Sequence, residues 1–356
     1  MNKLEIMRYG SARERGARRC QWVGPENLLA RCFHWSLLIL LLTVLVACSE
    51  EKAPPRPEKP ELRIGWYLWP GWYPMAIAID RDLFAKQGLR VKPTLYSSYT
   101  TIFNDFAAGQ LDMCFGGLYE LLKINRSGMR VVLVTDTSDG AEGLVVLPSI
   151  TSPAGLAGAR IGIQGGLSGS EFIITSMLRR NGLTRSDVTF VHVEPETVLE
   201  QMGEKIQGGY TWDPYLSKAV EKGYRILFTT ADTPGMVPDV VAVHGRVAKE
   251  REEEMRAFLR VWFEAVEWWR NHPKEAAASI ARVTGLQESE ISLQGCRLFS
   301  LEDNHAALGE NGKGGSLHDI ARQQTEFILG MGDAVTVADP ATVLDPSFLP
   351  ARSGSK

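Results

Sequence analysis

From Leu62 onward the chain alternates short β-rich runs with amphipathic stretches, and near residue 144 the alternation starts afresh. This doubled rhythm constrains the fold more than any other feature, because strand–helix alternation at such spacing winds right-handed onto mostly parallel sheets. In the first block the pattern predicts strands at Leu62–Trp66, Val91–Leu95, Met113–Phe115 and Val131–Thr135. Helices are expected between them at Met75–Gln87 (stopped by Gly88), Thr101–Ala108 and Leu118–Asn125. The second block predicts strands at Leu144–Leu147, Arg160–Ile163, Val188–Val193, Tyr210–Trp212 and Arg225–Phe228. Ser152-Pro153 opens a helical turn there, followed by helices at Ser170–Arg180, Thr197–Ile206 and Tyr215–Glu221. One more strand, Val240–His244, precedes a tail that reads as purely helical.

Two such blocks imply an α/β architecture of two Rossmann-like lobes with a hinge and a central cleft. Leu144–Leu147 would cross out of the first lobe and Val240–His244 would return, leaving that lobe discontinuous. The expected divisions are lobe 1 at 62–143 and 240–335, lobe 2 at 144–239, and a tail at 336–356. Met255, Phe258, Leu259, Trp262, Phe263, Val266 and Trp269 follow helical spacing and read as a core-facing stripe. Helix Leu317–Leu329 is expected to pack back on the first lobe.

Ligands of open α/β sheets sit beyond the carboxyl ends of strands, against helix N-termini. The loop after the first strand is Trp66-Tyr67-Leu68-Trp69-Pro70-Gly71-Trp72-Tyr73-Pro74. Its aromatic rings, stiffened by Pro and Gly, suit stacking on a ligand or cradling a cation, and Trp66, Trp69 and Trp72 are candidates. Ser97 and Ser98 open the helix after the second strand; Gly117 and Glu120 follow the third; Asp136 ends the fourth. In the second lobe Gly166 and Ser168 lie in the glycine-rich turn Gln164–Ser170, whose amides suit an anion or a carbonyl. That turn lacks a P-loop lysine and the second glycine of G-x-S-x-G, so nucleotide and serine hydrolysis are not indicated. Trp212, Asp213 and Tyr215, in Thr211-Trp212-Asp213-Pro214-Tyr215, join the candidate set through the family resemblance that this segment carries. No catalytic pair, metal site or cofactor site emerges: His192, His244, His272, His305 and His318 share no ligating spacing.

Residues 1–47 read as a secretory leader. A basic stretch ending at Arg31 precedes the apolar run Trp35–Ala47, which is shorter than the ~20 residues a membrane-spanning helix needs. Leu45-Val46-Ala47-Cys48 resembles the lipobox of bacterial lipoproteins, in which Cys48 would be acylated; an ordinary signal peptide or N-terminal anchor stays open. Residues 48–61 form a Pro- and charge-rich linker. Loss of the leader removes seven basic and three acidic groups, taking the formal charge from −3 to −7. An acidic mature chain without a basic run offers no footprint for nucleic acid. Only Cys114 and Cys296 then remain besides Cys48, and their pairing is not decided by sequence.

The Thr211–Tyr215 segment also carries a resemblance. With Arg63-Ile64-Gly65, Leu83-Phe84-Ala85-Lys86-Gln87-Gly88-Leu89, Gly109-Gln110-Leu111-Asp112 and Ser152-Pro153-Ala154-Gly155-Leu156-Ala157-Gly158-Ala159-Arg160-Ile161-Gly162, it makes the chain resemble a known family. That family is the solute-binding proteins of bacterial ABC importers of the nitrate/sulfonate/taurine type, related to thiamine-pyrimidine-precursor binders. One departure is Gln207-Gly208-Gly209-Tyr210, where the family carries a glycine–acid pair. The resemblance implies a type II periplasmic-binding-protein-like fold and a monomer tethered to a membrane by its lipid. It further implies capture of a small solute without chemistry or cofactor, and delivery to an ABC permease and ATPase. Among ligands it favours nitrate, bicarbonate, sulfonates or a thiamine pyrimidine. The residues themselves lean elsewhere: Glu120, Asp136, Asp139 and Asp213 against Lys123 alone favour a neutral or cationic, including heteroaromatic, compound over a sulfonate-like anion. A ligand-sensing lipoprotein and a thiamine-pyrimidine-synthase-like enzyme are the other readings; the latter's cysteine-rich motif is not present.

Overall fold

Two sheets carry the described part of the chain, and one internal strand of each runs against its neighbours. The structure is a computed structural model that describes residues 60–124, 128–165, 168–309, 317–332 and 336–352. The expected leader, the acylated Cys48 and the linker up to Lys59 therefore lie outside the described residues.

The strands are β1 (Leu62–Trp66), β2 (Val91–Leu95), β3 (Met113–Gly117), β4 (Arg130–Ser138), β5 (Glu142–Val146), β6 (Arg160–Ile163), β7 (Thr189–His192), β8 (Gly208–Trp212), β9 (Arg225–Thr229), β10 (Pro238–Val243) and β11 (Cys296–Leu298). The first sheet has the order β11-β4-β10-β3-β1-β2, and the second β7-β6-β8-β5-β9. β1 pairs parallel with β2 and β3, while β10 runs antiparallel between β3 and β4. In the second sheet β6 is parallel to β7 and β8, and β5 is antiparallel to β8 and β9. The antiparallel members are the strands at the two crossings: the chain leaves the first sheet from β4 into β5 and returns from β9 into β10.

Helix Glu252–Asn271 buries Met255, Phe258, Leu259, Trp262, Val266 and Trp269, at roughly 1.5–3 kcal/mol for each large side chain taken from water. Phe115 of β3 meets the rings of Phe258 and Trp262 at 6.4 and 5.4 Å. Two stretches that carry the family resemblance meet at the opposite end of β1. There the Arg63 guanidinium donates to both Asp112 carboxylate oxygens (3.0 and 2.7 Å) and to the Gly109 carbonyl (3.0 Å).

Several elements depart from the sequence pattern. The helix expected at Met75–Gln87 is two, Pro74–Asp80 and Leu83–Lys86, because Asp82 adopts a left-handed φ of 54°. The break turns Phe84 inward, where it stacks on Phe258 at 5.9 Å. The helix expected at Thr197–Ile206 shortens to Val198–Gln201; Met202 is extended and Gly203 has φ 85°. β4 runs on through Ser138, so Asp136 lies within a strand and not in a turn. The tail is not purely helical, since β11 pairs with β4 along Cys296–Leu298. Helix Leu317–Met331 packs on Leu118–Ile124 of the first lobe, and its Phe327 also meets Phe172 of the second-lobe helix Ser170–Arg180 at 5.2 Å.

Candidate ligand-binding site

The segments that follow β1, β3 and β6, with the end of β8, surround a cleft of about 640 Å³, its open mouth included. Tyr67, Leu68, Trp69 and Trp72 come from the β1 loop, and Gly117–Glu120 from the end of β3 and the helix after it. Tyr99 starts the helix after β2. Glu142 opens β5 of the second sheet, and the second lobe supplies Gln164, Ser168, Gly169, Ser170, Phe172, Ile173, Tyr210 and Trp212. Met236–Pro238 of the return crossing and Gln324 of the C-terminal helix complete the wall.

The aromatic side is ordered by mutual packing. Trp72 stacks on Tyr99 at 6.1 Å, and Tyr99 meets Trp212 of the other lobe edge-on at 6.2 Å. The Tyr99 hydroxyl accepts from the Gly117 N–H at 2.9 Å, which fixes the β3 turn. Two polar contacts join the lobes. Gly169 N–H donates to Glu120 Oε1 at 2.8 Å, and the Tyr67 hydroxyl donates to Glu196 Oε1 at 2.7 Å.

The ionisable acids of the wall are Glu120 and Glu142. Burial pushes the Glu120 carboxyl up to about 7, against the opposing pull of the Gly169 N–H. Glu142, which accepts from Tyr210 at 2.8 Å, is likewise pushed up to about 7, first by desolvation of its carboxyl and further by the Glu120 and Asp136 charges. Gln164 and Gln324 use their amide nitrogens on Glu194 Oε2 (3.1 Å) and the Met236 carbonyl (3.4 Å). The Oε1 of each is left buried without a partner, as is the indole N–H of Trp72; a buried unpaired polar group costs about 1–3 kcal/mol. Among the described residues, no Lys, Arg or His lines the cleft.

The sequence candidates divide accordingly. Trp69, Trp72, Gly117, Glu120, Ser168 and Trp212 share the cleft. Trp66 does not: it is a β1 residue buried in the core. Ser97 and Ser98 are exposed and outside the cleft wall. Asp213 turns away to accept from the backbone N–H (3.0 Å) and hydroxyl (2.7 Å) of Ser217, and Tyr215 lies under Lys218. Gly166 lies outside the described residues.

Asp136 sits behind the wall. It accepts from the Trp69 indole N–H (2.8 Å), the Thr135 hydroxyl (2.7 Å) and the Cys296 thiol (3.1 Å), so that cysteine, like Cys114, is a free thiol. Asp239 lies across from it in the β10–β4 register. Burial raises both carboxyls, and Asp239 most, since the Asp136 charge and hydrogen bond keep its proton on.

Tyr99 and Gln164 stand in turns that the sequence marks, Tyr96–Tyr99 and Gln164–Ser170, without being singled out there; sequence reasoning missed Glu142, Tyr210 and Gln324. A signal existed for two of them. Glu142 is a lone acid opening an apolar strand, and Gln324 interrupts the buried stripe Leu317, Ala321, Ile328.

Similarity to known proteins agrees with this geometry. The chain is 26% identical to a Bacillus subtilis (strain 168) protein named for aliphatic-sulfonate binding, over 72% of this chain and 79% of that one. It is 25% identical to the taurine-binding periplasmic protein of Escherichia coli (strain K12), over 61% and 72%. Among solved structures, the periplasmic aliphatic sulphonate binding protein SsuA from Escherichia coli superposes with a TM-score of 0.63 at 19% identity, over 82% of this chain and all of that one. The fold is thus that of a two-lobed periplasmic binding protein. The model of the NMT1-like family matches residues 55–285, and this chain belongs to that family.

Proposed function

We propose that the protein is the extracytoplasmic solute-binding component of an ABC import system. It captures a small organic solute between its lobes, closes about the crossings 138–142 and 229–238, and presents the solute to a permease and its ATPase. The observation that carries this reading is a cleft walled by both lobes and bridged by the Glu120–Gly169 hydrogen bond. Nothing in such a cycle requires chemistry, only tighter binding to the closed state. The lobes divide at 143/144 and 239/240, and the chain works as a monomer held to the membrane through acylated Cys48 and the 48–61 linker.

Two carboxyls, with no Lys, Arg or His among the described lining residues, support a neutral or cationic ligand, including a heteroaromatic one, held by Trp69, Trp72, Tyr99 and Trp212. A second reading, a sulfonate ligand, is favoured by the names of the two relatives and by the N-terminus of helix Ser170–Arg180, which lies in the cleft wall. Calorimetric titration of purified protein against aminated heteroaromatics, alkanesulfonates and taurine tests both. Saturable one-to-one binding without conversion supports solute capture. Release of a chemically altered product would replace it with an enzyme.

A further inference from the structure

We propose that the cleft takes a planar cation bearing several N–H groups, such as an amidinium, guanidinium or aminated ring, and receives it on Glu120, Gln164 and Gln324. The proposal rests on the solute-capture reading and narrows it to one ligand chemistry.

Gln164 and Gln324 both line the cleft, and both leave a buried Oε1 unpartnered. Their orientation is fixed by what their nitrogens do. Turning either amide would set its oxygen against Glu194 Oε2 or the Met236 carbonyl, oxygen facing oxygen. Two acceptors thus stand ready from two elements, the β6 turn and the C-terminal helix. Glu120 adds a third from the helix after β3, and its carboxylate has acceptor capacity beyond the bonds from the Gly169 N–H and its own backbone N–H. Against these, the side-chain donors left without an acceptor in the described wall are the Trp72 and Trp212 indoles and the Tyr99 hydroxyl, all on its aromatic side. A sulfonate presents only acceptor oxygens and would meet Glu120, Glu142 and two amide oxygens with no lysine, arginine or histidine among the described lining residues. A planar multi-donor cation matches the same set in charge and in hydrogen-bond sense. Its flat face suits the Trp72, Tyr99 and Trp212 rings. The C-terminal helix thereby becomes part of the binding site.

The test uses a matched pair on one aromatic frame, benzamidine and benzenesulfonate, titrated by calorimetry into the full chain at pH 8. The expected result is saturable binding of benzamidine and none of benzenesulfonate. Gln324→Leu and Gln164→Leu should each weaken benzamidine by about tenfold; the melting temperature falls as well, because the Met236 carbonyl or Glu194 loses its donor. Gln324→Glu loses the same donor and should nevertheless tighten benzamidine. Opposite changes in affinity from two substitutions that remove the same internal hydrogen bond are what a merely structural glutamine would not give. Benzenesulfonate binding without benzamidine overturns the proposal and leaves solute capture standing. Benzamidine binding that both leucine variants leave unchanged overturns the assignment of the two glutamines. If neither probe binds, the molecule released on denaturing the purified protein decides. A multi-donor cation supports the proposal, an anion overturns it, and the absence of any such molecule removes the solute-capture reading as well.

Discussion

The indole N–H of Trp69 donates to Asp136 Oδ2 at 2.8 Å, tying a cleft-lining ring to the buried strand from which the chain leaves the first lobe. The contact is close because Gly71 lets the loop lie on the carboxylate: a Cβ there would stand 1.9 Å from Asp136 Oδ1. Gly71→Ala should therefore destabilise the protein by roughly 1–3 kcal/mol through overpacking. Urea unfolding checks the loss, and an unchanged midpoint would refute the account.

Asp136→Ala removes the shared acceptor and strands the Trp69 indole, the Thr135 hydroxyl and the Asp239 carboxyl. A cost of at least about 2 kcal/mol is expected from leaving buried partners unpaired. The fluorescence of Trp69 should shift with it, because the ring loses its anchor. Trp69→Phe in the same background should then cost little more, since the two residues act through one bond.

The raised carboxyls set a pH dependence of known sign. Glu120 stands at about 7 in the folded protein against 4.5 for the free group. Its protonated form is the one the fold prefers, so the contribution is fully present below pH 4.5 and is lost as pH rises through 7. The expected loss for this carboxyl is on the order of 3 kcal/mol. Glu142 acts in the same direction. Melting temperature of the ligand-free protein should fall between pH 5 and 8, and Glu120→Gln with Glu142→Gln should flatten the slope.

Tyr67→Phe deletes the hydroxyl that reaches Glu196 across the cleft. A shift of about 1 kcal/mol toward the open arrangement is expected. It would be read as a larger radius of gyration in small-angle scattering without ligand, with little change in unfolding midpoint.

Much of this was legible in the sequence because apolar periodicity and turn chemistry are local signals. Strands β1 to β10, the two crossings and the Met255–Trp269 stripe are read from spacing alone. Trp69 and Trp72 were named because aromatic rings beside Pro or Gly at a strand end make a poor core pattern, and Trp212 through the resemblance its segment carries. What escaped depends on distant partners. Asp136 looked like a ligand group until Trp69, Cys296 and Asp239 closed around it. Asp213 is absorbed by Ser217, four residues on, and that competition is invisible in a bare motif. Gln324 entered the wall through a helix nearly 160 residues from Gln164, on a tail that bears no motif.

The placement of β10 between β3 and β4 also bears on how the molecule is made. All five strands of the second sheet lie within residues 142–229. A growing chain can finish that sheet while the first one still lacks an inner member. Until Pro238–Val243 emerges, β3 and β4 present facing, unsatisfied backbone edges. That interval is when a nascent chain of this protein most needs a chaperone.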